Sequence, residues 1–160
     1  MCIVLDMKKN KYVNSFMLEG NTSHCNSAGF GKEKYSKDSM FPLLYVCECL
    51  GQKSCYVTDI TTEGSKIVQR LFYDSDEFKI AMDWIVDAEN GFIYVYGGRH
   101  FGTKYLKKLP LPKLSDSDEN GEVHFTKDDV LQTIEIEGLM ISQGSVIKGG
   151  KAYLPDGCSP

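Results

Sequence analysis

The chain has 160 residues, of which 42% are hydrophobic and 25% charged, with a net charge of −4 at neutral pH. That is one globular domain's worth of sequence, long enough to bury a core. The mild acidity gives no general electrostatic reason to bind nucleic acid, and no apolar run reaches the 18 residues of a transmembrane helix.

In chain order, period-2 alternation of apolar and polar residues dominates, the mark of half-buried strands. Residues 2–7 (CIVLDM) and 12–18 (YVNSFML) read as a hairpin around the turn KKNK. Strands follow at 24–30, 42–50, 55–61 and 66–74. Residues 74–81 (DSDEFKIA) admit a helical reading. Strands at 82–88 and 92–98 flank Asn90-Gly91, a hairpin signal. Residues 103–112 form a strand whose prolines predict an edge position. The acidic stretch 115–122 reads as a loop, and Thr126 as the cap of a short helical turn over 126–129. Strands at 131–137, 139–147 and 151–157 close the chain.

A repeat organises these strands. His24, Asp83 and Gln143 each open a strand and stand 59 and 60 residues apart, and each unit carries a tyrosine, Tyr45, Tyr94 or Tyr153, in a later strand. Four strands per period are the signature of β-propeller blades. Blade one spans 24–74 and blade two 82–137; the third unit has only its inner pair, 139–157. The hairpin at 2–18 supplies the missing outer pair, so the expected fold is an all-β, propeller-like single domain over 1–160. It has about three four-stranded blades, one built from the N- and C-terminal hairpins.

The segments HCNSAGFG, FPLLYV, LPLPKLSDSDENGEVHFTKDDVLQTIEI and SQGSVIKGGKAYLPDG resemble uncharacterised bacterial propeller proteins. Those have six or seven blades, about twice this length, and are usually exported. The resemblance implies a fold and no catalytic residues; this chain departs from it in length and in having no signal-peptide pattern. A complete chain would default to the cytoplasm, whereas a fragment of an exported relative would belong to the periplasm or the exterior. Three blades do not close a ring, but two copies supply six, which predicts a homodimer. The terminal blade is then completed within one chain or by exchange between chains. The competing expectation is a truncated propeller with exposed sheet edges.

Strand openings ring the mouth of a propeller channel. His24, Asn26, Asp83, Trp84, Gln143 and Ser145 are therefore the candidate binding residues for a carbohydrate or peptide. The alternative role for them is to bond neighbouring blades together, and for Trp84 to pack in the core. Cofactors and metal ions are not expected. DSDENG at 116–121 matches the front of a calcium loop, but Lys127 stands where the loop's bidentate Glu belongs. The six cysteines lack a Cys-x-x-Cys pair and read as buried free thiols, with a disulfide or a soft-metal cluster as alternatives. No nucleophile elbow occurs, and Asp83 and Asp87 lie about 13 Å apart along one strand, too far to act as a glycosidase pair. The leading function is a non-enzymatic binding protein; the runner-up is a carbohydrate hydrolase or lyase drawing acid and base from different blades.

Overall fold

The computed structural model describes residues 1–20, 24–48, 54–76, 78–99, 102–137 and 142–155. Thirteen strands appear among them, with short 3-10 turns at Leu114–Asp116 and Lys127–Asp129 and no helix long and apolar enough to cross a membrane. The fold is all-β.

Two sheets form the body. In the first, β3 (Ala28–Phe30), β4 (Leu44–Cys47), β5 (Ser54–Ile60) and β6 (Ser65–Tyr73) run as an antiparallel meander. The second is the meander β7 (Ile80–Asp87), β8 (Phe92–Gly98), β9 (Lys104–Pro110) and β11 (Gln132–Ile136). Each holds the four strands expected of one repeat unit. One strand was not foreseen: β10 (Glu122–Phe125) leaves the second unit and pairs parallel to β6, making the first sheet five-stranded.

The sheets pack face to face. Alternation sends Tyr45, Cys47, Cys55, Val57 and Leu71 of the first sheet against Trp84, Ile93, Val95 and Leu109 of the second. Phe125 of β10 closes this core, which explains the extra strand: it carries an aromatic ring across the outer edge of the inter-sheet seam.

The terminal hairpins cover the two outer faces. β1 (Cys2–Asp6) and β2 (Lys11–Phe16) lay Cys2 and Phe16 over Leu44, Val46 and Tyr56, the far face of the first sheet. β12 (Val146–Lys148) and β13 (Lys151–Tyr153) lay Ile147 over Ile85, Tyr96 and Leu106, the far face of the second. The molecule is thus a four-layer stack: hairpin, sheet, sheet, hairpin. This explains why β4 is buried at every position, since both of its faces are covered.

Three expectations are corrected. The chain does not build a blade from its own two hairpins: β1 pairs with β2 and β12 with β13, in separate sheets at opposite ends of the stack. Strand β9 is no edge, because it lies between β8 and β11; Pro110 is tolerated because it pairs with Phe92 on one side, beyond the end of β11 on the other. No helix forms in the described part of 74–81, where Ile80 opens β7. The turn over Lys127–Asp129 forms as read, with Thr126 accepting from the Asp128 amide at 3.2 Å. Of the cysteines, Cys2, Cys25, Cys47 and Cys55 are not in disulfides; Cys47 and Cys55 are buried as expected, but Cys2 is only partly buried and Cys25 is exposed. Cys49, Cys158, His100 and residues 21–23, whose NTS fits a glycosylation sequon, lie outside the described residues.

Candidate functional site

Three segments far apart in sequence meet at one point. Asn26 and Ser27 precede β3, Asp83 lies in β7, and residues 142–145 turn into β12. A left-handed Gly144, at φ 77°, shapes that turn. Its amide donates to the Asn26 carbonyl at 2.8 Å, and the Asn26 amide group returns a bond to the Ser142 carbonyl at 3.0 Å. Ser27 Oγ donates to the Trp84 carbonyl at 3.1 Å. Ser145 Oγ donates to Asp83 Oδ2, and the Ser142 and Ser145 hydroxyls bond each other.

Asp83 is the electrostatic centre of this knot. It is 0% exposed, and its second oxygen, Oδ1, is buried without a hydrogen-bond partner. Burial raises its carboxyl above the usual range, and the nearby hydroxyls of Ser145, Ser27 and Ser142 offset part of the rise. Through these serines the buried carboxylate ties the segments that lead into β3 and β12 to β7.

Of the six sequence candidates, Asn26, Asp83 and Ser145 converge here. Gln143 is exposed in the same turn, its backbone N–H donating to the Pro155 carbonyl at 3.3 Å. His24 is exposed two residues before Asn26. Trp84 points the other way: its side chain is buried in the inter-sheet core, 6.4 Å from the Phe125 ring. A cleft of about 60 Å³ beside the knot, lined by Ser27, Gly29, Ile85 and Ser145 among others, has room for little more than water. Of the six candidates, His24 and Gln143 are the ones whose side chains are exposed.

A second polar cluster escaped the sequence reading. His124 Nδ1 lies 2.7 Å from Asp74 and Nε2 lies 3.2 Å from Glu122, while the ring stacks on Phe72 at 4.9 Å. The ligand-type atoms of Asp118, Glu122 and His124 fall within 4.8 Å of one another. Glu122 and His124 share a face because they are two apart on a strand, a signal lost once the segment is read as loop. The Asp74 carboxylate holds the His124 pKa above its ordinary value; burial opposes it, and Glu122 adds a further upward push. An open cavity of about 420 Å³ adjoins it, lined by Asp74, Ser75, Asp76, Thr126, Lys127 and Asp128. The carboxylates of the calcium-like loop are committed locally: Asp116 accepts from the Lys113 amide at 2.8 Å, and Asp118 from the amides of Asn120 and Glu122 at 2.8 and 2.9 Å.

No protein-family model, curated protein or solved structure matches the chain.

Proposed function

We propose that the protein is a non-enzymatic, propeller-type binding protein, its unit one half of a six-bladed ring. The supporting observation is the knot of Asn26, Asp83, Ser142 and Ser145, which draws the opening strands of three successive units together as the inner strands of neighbouring blades would be drawn. Two exposed polar side chains, His24 and Gln143, flank it on the rim where a carbohydrate or peptide would bind.

The carboxylates favour binding over hydrolysis. Asp83 is enclosed by serines, Asp87 accepts from the Asn90 amide group at 2.9 and 3.0 Å, and Glu89 pairs with Lys148 at 2.7 Å. Each is engaged in structural contacts, and a glycosidase needs two facing the same bond. Titration calorimetry against a panel of oligosaccharides and short peptides tests the proposal. Binding that is lost in both His24→Ala and Gln143→Ala, with unchanged circular dichroism, supports it. Binding indifferent to both, or turnover of a glycoside, refutes it.

A further inference from the structure

The two ends of the stack are complementary, and we infer that they join head to tail between two copies of this chain. The inference rests on the propeller reading and assigns its interface. In both complete sheets the strands run in chain order from one edge to the other. The same order, continued through a second copy, is β12-β13 of one chain followed by β1-β2 of the other. β13 and β1 are each paired on one side only among the described residues, so each offers an open edge for antiparallel pairing.

The faces agree with the edges. The N-terminal hairpin turns Cys2 and Phe16 inward but leaves Leu5 and Tyr12, a cross-strand pair, 55% and 59% exposed. The C-terminal hairpin turns Ile147 inward but leaves the pair Val146 and Tyr153 each 53% exposed. Both covered sheets also keep a bare patch. Phe30, whose partner Leu44 lies under the first hairpin's cluster, is 49% exposed; Ile134, opposite Leu106, is 43% exposed.

Continuing the sheet from β13 into a partner's β1 places Leu5 and Tyr12 of that partner over Ile134, and Val146 and Tyr153 over the partner's Phe30. These exposed side chains and Ile3 hold roughly 800 Å² per contact, so a closed pair with two such contacts buries about the 1,600 Å² of a standard specific interface. Two identical contacts between two copies pair both β13 edges with both β1 edges, which is closed two-fold symmetry.

Light scattering after size exclusion, on the full chain at micromolar concentration, reads the result. The expected mass is twice the 18.0 kDa of the chain. Tyr12→Lys and Ile134→Glu sit at exposed positions that leave the monomer core intact, and each alone should give single-chain mass with unchanged circular dichroism. A mixed pair keeps one contact wild type and makes the other a Lys–Glu pair, and a two-chain species should reappear. A wild-type monomer, a ladder of higher masses, or a dimer indifferent to both substitutions would overturn the inference. Dimerisation with no ligand at His24 and Gln143 would sink the binding proposal and leave this contact standing.

Discussion

The hydroxyl of Ser145 donates to the carboxylate of Asp83 across 62 residues of sequence, tying the C-terminal unit to the first strand of the second sheet. Asp83 is completely buried there, so the bond fixes the hairpin's position as well as its strand pairing. The apolar contact of Ile147 with the far face of the second sheet supplies area, and the Asp83–Ser145 bond supplies register.

Asp83→Ala should cost about 1–3 kcal/mol, the penalty for orphaning buried partners of a hydrogen bond. Hydrogen exchange should speed up selectively over 142–155. The pH dependence has a definite sign. The folded state raises the Asp83 pKa, chiefly by burial, so it holds a proton that the unfolded chain has already released. The protonated group's contribution is fully present below the unfolded value of about 3.9 and is lost as pH rises through the raised folded value. Denaturant titrations across the acid range should show that decline in the wild type and not in Asp83→Asn.

Trp84 is the only tryptophan, and at 1% exposure it reports on the seam between the sheets. Its emission should be blue-shifted in the native state and move red on unfolding. Trp84→Ala should cost about 3–5 kcal/mol, as for other large-to-small core changes. Trp84→Phe should cost clearly less, because the indole nitrogen is buried with no hydrogen-bond partner and its removal loses only volume. Equal costs for the two substitutions, read from chemical denaturation, would contradict that account.

Which strands exist was largely legible, because alternation marks half-buried strands and the unbroken apolar run Leu44, Tyr45, Val46, Cys47 encodes a strand covered on two faces. Asp83 and Ser145 both stand among the candidates at strand openings, although the repeat matches Asp83 with Gln143. What alternation cannot encode is which sheet a strand joins. Val123 and Phe125 alternate like any strand, yet their destination beside β6 depends on packing at the inter-sheet seam. The orientation of Trp84 was hidden for a related reason: a strand opening has two faces, and the sequence does not say which one meets the core. His124 illustrates a third limit, since its partner Asp74 lies 50 residues away, brought close only by the parallel β10–β6 pairing.

His124 should titrate above its ordinary value, with Asp74 as the main cause. A raised histidine pKa stabilises the fold fully below the unfolded value of about 6.5, and the contribution disappears as pH rises through the folded value. The side chain is 44% exposed, so solvent and salt screen the effect, and stability should change little. Proton NMR of the ring is the direct measurement. Asp74→Asn should lower the midpoint more than Glu122→Gln does, and 0.5 M salt should narrow the difference; the reverse order would remove Asp74 as the dominant partner.

Two glycines share a positive φ, 156° at Gly98 and 76° at Gly91, but of the two only Gly98 is also crowded. Gly98 ends β8, and a Cβ there would lie 2.5 Å from the Thr103 carbonyl oxygen and 3.3 Å from Lys104 Cα, both backbone atoms that cannot swing aside. Lys104 is held in turn by its ammonium bonds to the carbonyls of Arg99 and Gly102 at 2.8 and 3.1 Å. Gly98→Ala should therefore force the β8–β9 connection apart, with a cost at or above the 1–3 kcal/mol typical of overpacking. Gly91 has open space around its Cβ position but sits at φ 76°, so Gly91→Ala meets only the left-handed backbone penalty of about 1–2 kcal/mol. Gly91→Asn should recover part of that loss, since asparagine tolerates this region, while Gly98→Asn should be no better than Gly98→Ala. Urea midpoints of the four variants check this, and a loss at Gly98→Ala no larger than at Gly91→Ala would contradict the crowding seen at Gly98.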